Sequence, residues 1–190
     1  MAAAATVEDR TNVQLPKMKL LEIKTLSDVR WIERIRVLDK YCFPVSYSEK
    51  YYEALMPNGV KAHNLSQTAF YNEILVGSIT VRYEPLNKDA PEKDMRFRAY
   101  IMTIGVLEPY RGLGIATRLL QTALANAAKD KTIDYVALHV QKGSSALDFY
   151  KKFGFTVKEE VPDYYTNIEP TAALYLTKPV VHQDKKEKKK

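Results

Sequence analysis

Gly105-Val106-Leu107-Glu108-Pro109-Tyr110-Arg111-Gly112-Leu113-Gly114-Ile115-Ala116-Thr117 decides how this chain is read. A strand pattern over residues 97–106 ends at Val106. A Pro-bearing turn follows, and a helical pattern opens at Gly112 with Leu120, Ala123, Leu124 and Ala127 on one face. Strand, turn and helix in that order leave the first helical N–H groups free. With the helix dipole, these favour an anion. Gly112 and Gly114 remove side chains where a phosphate would approach. The stretch is neither a Walker loop nor a dinucleotide fingerprint. No Gly-Lys-Ser/Thr and no third glycine follow at the required spacing.

The same two periodicities organise the rest of the chain. A strand is predicted over residues 20–24, then a helix whose stripe is Ile32, Ile35, Leu38 and Cys42, stopped by Pro44. A short second helix starts near Ser48. Strands at 67–71 and 75–83 flank a tight turn at Tyr71-Asn72-Glu73. Residues 84–94 carry Pro85 and Pro91 and read as a loop. After the helix at 112–128 come a strand at 133–140, a helix at 144–153 stopped by Gly154, and strands at 155–161 and 172–176. The order, βα(α)βββαβαββ, makes a single α/β domain over residues 18–179. Residues 1–17 are expected to be a flexible leader and 180–190 a disordered Lys-rich tail.

Composition narrows the function. With 190 residues the chain holds one domain; 46% hydrophobic and 27% charged residues exclude wholesale disorder. No apolar run approaches the ~18 residues of a membrane span. No secretory signal is read at the start, and the single cysteine, Cys42, fits a reducing compartment, so a cytoplasmic location is expected. From His182 onward, five Lys stand against Asp184 and Glu187, half of the net charge of +6. That tail is either a solvated end or an electrostatic arm for RNA. No His/Cys spacing suits a metal, so none is expected.

Among titratable residues, His139 is the only His within a strand pattern, on one face with Tyr135 and Ala137. It reads as either a core histidine or a general base. Cys42 lies on the apolar stripe beside Phe43, which favours a buried thiol over an acyl-enzyme nucleophile.

Arg111-Gly112-Leu113-Gly114-Ile115-Ala116 resembles the acetyl-CoA pyrophosphate motif of the GCN5-related N-acetyltransferases, Arg/Gln-x-x-Gly-x-Gly/Ala. Five further motifs, in order, resemble the branch of that family that acetylates protein N-termini. They are Phe43-Pro44-Val45-Ser46-Tyr47, Tyr100-Ile101-Met102-Thr103, Leu138-His139-Val140-Gln141, Phe149-Tyr150-Lys151-Lys152-Phe153-Gly154-Phe155 and Tyr164-Tyr165-x-x-Ile168-Glu169-Pro170. The resemblance covers about residues 20–178.

It implies a mixed, mostly antiparallel sheet with helices on both faces and a splay between two central parallel strands, 97–106 and 133–140. It implies acetyl-CoA as co-substrate, held by Ile104, Gly105, Val106, Arg111, Gly112, Leu113, Gly114, Ile115, Ala116 and Thr117, with Tyr150 facing the sulfur. In the turn at 141–145 the family's usual Asn is absent, and Ser144 or Ser145 stands in for it. Tyr100 and His139 are implied to deprotonate the acceptor amine through water. Phe43, Pro44, Val45, Tyr47, Met102, Tyr164, Tyr165 and Ile168 are implied to hold a peptide that begins with Met. Implied partners are nascent protein N-termini, the NatA complex through its large subunit and catalytic partner, and the ribosome, with a nuclear pool besides the cytoplasmic one. A lysine or small-amine acetyltransferase shares the co-substrate motif. A ribosome-associated scaffold of weak activity is a third reading, opposed by the intact Arg111, Gly112, Gly114, Tyr100 and His139.

Overall fold

The computed structural model describes residues 9–55 and 64–182. Seven strands form one sheet in the order β1-β2-β3-β4-β5-β7-β6. They are β1 (Leu21–Thr25), β2 (Gln67–Tyr71), β3 (Ile74–Pro85), β4 (Phe97–Val106), β5 (Ile133–Gln141), β6 (Thr156–Val161) and β7 (Ala173–Pro179). Among the described residues four α-helices accompany it: α1 (Arg30–Cys42), α2 (Glu49–Ala54), α3 (Ile115–Ala127) and α4 (Ala146–Lys151). The predicted element order stands. Asn72 and Glu73 take positive φ values of 47° and 68°, the backbone of a two-residue hairpin turn between β2 and β3.

Two apolar clusters hold helices to the sheet. Ile115, Leu119, Leu120, Ala123 and Leu124 of α3 join Val76, Ile79, Ala99, Ile101 and Val136. Ile32, Ile35 and Leu38 of α1 join Tyr52, Phe70 and Leu75, with Met102 packed against them. Each fully buried Leu or Ile contributes roughly 1.5–3 kcal/mol, so the α3 stripe is a principal support of the fold.

The parallel pair β4–β5 opens part-way. Pairing runs from Phe97↔Ile133 to Tyr100↔Ala137 and stops there, while β4 continues to Val106 and β5 to Gln141. That is the expected splay. A bulge on β4 lies at the same level: Thr80 pairs Thr103 but Val81 pairs Ile101, which leaves Met102 as the extra residue. Beyond the bulge, Thr103 meets Tyr51 of α2 and Gly105 meets Cys42 at the end of α1.

Two expectations are revised. The segment read as a flexible leader lies on the domain over residues 9–16, where it bonds to α3 and to the end of α4. The helix read over 144–153 is regular only from Ala146 to Lys151, because Ser144 and Ser145 form the turn that starts it. Residues 183–190, most of the Lys-rich tail, and His63 lie outside the described residues.

Candidate active site

The turn after β4 carries the anion-binding features. A 3-10 turn at Glu108–Tyr110 is followed by Gly112 (φ 77°) and by Gly114 (φ 75°), the N-cap of α3. Positive φ at both positions calls for glycine. No side chain caps α3, so its first-turn N–H groups are not taken by a capping side chain. Arg111 donates from Nε to the Val106 carbonyl at 3.0 Å, which clasps the turn onto the end of β4. Ile115 packs into the core and offers only backbone, Thr117 is largely buried, Leu113 is exposed and Ala116 half-buried. These features fit a diphosphate.

Gly105 has a packing role in the fold. A Cβ there would lie 3.1 Å from Cys42 Cβ, 3.2 Å from its Sγ and 3.2 Å from Phe43 Cζ. Gly105 therefore admits the end of α1 to the sheet, and Val106 likewise belongs to the core. Burial pushes the Cys42 thiol up, in keeping with a packing role.

A cleft of about 220 Å³ opens at the splay. Phe43, Pro44, Val45 and Tyr47 from the α1–α2 connection form one wall. Met102 and Ile104 of β4 and His139 of β5 form its floor, and Ser144, Tyr150, Tyr165 and Ile168 complete it. Eleven of the sequence-predicted residues thus meet in one cavity. Ile101, Thr103, Leu138, Val140, Gln141 and Ala146 also line it and were not named as site residues from sequence. Their alternation as strand residues was visible, but the opening of the sheet beside them was not.

Tyr100 and Tyr164 sit at the rim as one cluster with His139. The Tyr100 hydroxyl is 2.8 Å from His139 Nδ1 and 3.2 Å from the Tyr164 hydroxyl. The Tyr164 ring stacks on the His139 imidazole with centroids 4.3 Å apart and planes 14° apart. Register explains the first contact: Tyr100 is opposite Ala137 on the last rung, and His139 is the next residue on that face of β5.

Electrostatics set the proton positions. Burial lowers the His139 pKa and the Arg98 guanidinium lowers it further, so the ring is neutral near pH 7. Burial raises the Tyr100 phenol well above its ordinary value, and the Tyr164 hydroxyl adds to this. Burial likewise raises Tyr47 and Tyr150.

Behind the cleft lies a polar network that sequence reading missed. Tyr51 bonds Thr80 and Thr103, each at 3.1 Å, and the two threonine hydroxyls are 2.6 Å apart. Asp39 of α1, only 1% exposed, has no hydrogen bond of ordinary geometry to its carboxylate oxygens. Burial pushes its pKa up to about 7 against the opposing pull of the Tyr52 and Tyr51 hydroxyls. The signal was in the spacing: Asp39 follows Ile35 by four residues and precedes Cys42 by three, on the apolar stripe itself.

Among the described residues no cluster of His, Cys, Asp or Glu could hold a metal ion, and no helix is long and apolar enough to cross a membrane. Residues 32–155 match the model of the acetyltransferase (GNAT) family. The chain belongs to that family. It is similar to N-alpha-acetyltransferase 50 of Danio rerio, 40% identical over 148 residues, covering 77% of this chain and 82% of the relative. It is 38% identical to the probable N-acetyltransferase san of Drosophila melanogaster, over 77% of this chain and 74% of that one. Among solved structures it resembles Arabidopsis thaliana Naa50 in complex with the bisubstrate analogue CoA-Ac-MVNAL. That match has a TM-score of 0.71 and 36% identity, and covers 84% of this chain and 98% of the other. Arabidopsis thaliana NAA60 in complex with acetyl-CoA shares the fold, with a TM-score of 0.72 and 19% identity.

Proposed function

We propose that this acetyltransferase acetylates the α-amine of protein N-termini that retain their initiator Met. The carrying observation is that the Tyr100–His139 pair meets the same cleft that Phe43, Val45 and Ile168 line with apolar groups. An amine at the pair and an unbranched apolar side chain in that pocket together describe a Met terminus. Similarity to N-alpha-acetyltransferase 50 and to a neighbour solved with a CoA–peptide analogue supports the reading.

Acetyl-CoA supplies the acetyl group. The Arg111–Ala116 turn and the first turn of α3 receive its diphosphate, and the splay admits the pantetheine arm. A free α-amine has a pKa near 8 and is largely protonated at neutral pH, so a proton must leave before attack. Tyr100 holds its proton too tightly to be a base alone. Neutral His139 accepts the Tyr100 proton at Nδ1 while the Tyr100 oxygen takes one from the amine or from a bridging water. Tyr164 fixes both rings. Backbone groups of β4 beyond the last β5 rung stabilise charge that develops on the acetyl oxygen. Tyr150 keeps its phenolic proton and donates a hydrogen bond to the departing sulfur. Ser144, whose hydroxyl accepts from the Ala146 N–H at 3.2 Å, braces the turn beside it. Attack is direct, because Cys42 is packed under Gly105 rather than in the cleft.

The chain acts on nascent chains in the cytoplasm at the ribosome, in association with the NatA subunits, and a fraction works in the nucleus. The Lys-rich end, half of the net positive charge, supports a contact with rRNA.

Peptides of one sequence, each with an internal Lys and either a free or a blocked Met terminus, test the proposal by mass spectrometry. Acetylation confined to the free α-amine is expected. Modification of the Lys in the blocked peptide would assign the site to side-chain amines instead.

A further inference from the structure

Residues 9–16 lie along α3 as a 3-10 turn at Arg10–Asn12 followed by an irregular run to Pro16, with Thr11, Val13 and Leu15 partly buried and Asn12, Gln14 and Pro16 exposed. The path is anchored along its length. The Arg10 N–H donates to the Lys152 carbonyl at 2.6 Å, and Asp9 pairs with Lys178 at 3.5 Å. Gln121 Nε2 donates to the carbonyls of Arg10 and Val13, each at 2.9 Å, and Arg118 donates from Nη2 to the Pro16 carbonyl. Gly114, Arg118 and Gln121 succeed one another at four and three residues, so the strap runs along one ridge of α3 to its N-terminus.

There it meets the anion-binding turn. A Cβ on Gly114 would lie 3.3 Å from Leu15 Cδ1 and 3.8 Å from Cδ2, whereas one on Gly112 would meet nothing within 4 Å. One side of the turn is covered and the other is open. Gly114 holds a left-handed backbone with no side chain of its own to brace it, and Leu15 occupies the space a side chain would fill.

We propose that residues 9–16 are a strap supporting the diphosphate end of the acetyl-CoA site, with Leu15 the positioning residue that keeps the Gly114 turn in anion-binding shape. The proposal rests on the assignment of that turn to acetyl-CoA. It places the strap's effect on the nucleotide portion of the donor and away from the acceptor cleft.

The test compares the full chain, Leu15→Ala and a chain lacking residues 1–17, with acetyl-CoA and with acetyl-pantetheine, a donor that lacks the nucleotide. Leu15→Ala is expected to raise the KM for acetyl-CoA roughly 3- to 10-fold, the scale of one partly buried leucine side chain. The kcat and the kcat/KM for acetyl-pantetheine should hold, and truncation should do at least as much to the acetyl-CoA KM. Leu15→Ala carries the test alone if the truncated chain does not fold. An unchanged KM for acetyl-CoA overturns the proposal. So does an equal loss with both donors, which would make the strap a general brace of the fold. Tighter acetyl-CoA binding also overturns it, because the strap would then obstruct the site. Loss of all activity with acetyl-CoA in the unaltered chain would instead count against the acetyl-CoA assignment.

Discussion

The two halves of the active site are built differently. The donor half is nearly one piece of chain: β4, the Glu108–Gly114 turn and α3 follow one another, and the features an anion needs are a helix start and two positive-φ glycines. The acceptor half draws on the α1–α2 connection, on β4 and β5 beyond their last rung, on the start of α4 and on the segment before β7. A site encoded locally fails through local backbone strain. A site assembled from distant segments fails through any of the contacts that bring those segments together.

Changes at the proton relay should separate the halves most sharply. Tyr100→Phe and His139→Ala should each lower kcat by roughly 10- to 10⁴-fold, the span of general acid–base contributions, with the KM for acetyl-CoA near that of the parent. A matching rise in that KM would mean that the halves are not independent. Gly114→Val should do the reverse. A β-branched residue at φ 75° costs on the order of 1–3 kcal/mol, so the KM for acetyl-CoA should rise about 10- to 100-fold at a nearly constant kcat. Normal acetyl-CoA binding by a folded variant would remove the turn from the site.

Asp39 offers a smaller effect, on stability. Its folded pKa of about 7 lies above the ordinary carboxylate value, so the folded state binds the proton more tightly than the unfolded chain. The contribution is fully present below the unfolded pKa and is lost as pH rises through 7. Asp39→Asn escapes that loss. It should raise the Tm relative to the parent at pH 8, by on the order of 1–3 kcal/mol of stability, with the difference shrinking towards pH 5. A lower Tm at pH 8 would show that the carboxylate has a partner that stabilises its charged form.

What could be read from the sequence follows the same division. The order of elements, the α3 stripe and the Arg111–Ala116 turn were legible because they depend on neighbours within about four residues. Gly105 was nameable through resemblance to the family, but not as the seat of Cys42 and Phe43, which lie more than sixty residues earlier. The bulge at Met102 left no mark in the pattern, since Tyr100, Met102 and Thr103 read as plain alternation until pairing with Thr80 and Val81 fixes the extra residue. The strap was missed for another reason. Thr11-Asn12-Val13-Gln14-Leu15 does alternate, yet so short a run beside a Pro carried no sign of what it covers. His139 and Tyr100 were nameable through resemblance to the family; the Tyr164 ring stacked on the imidazole needed the folded chain.

The proton relay is tested most directly by the Tyr100→Phe, His139→Ala double variant, assayed beside both single variants at saturating acetyl-CoA. Residues that act as one unit are not additive. A relay through the 2.8 Å contact predicts a double variant with a kcat close to that of the worse single variant. A loss equal to the product of the two single losses would show that Tyr100 and His139 act separately, and the relay would fall.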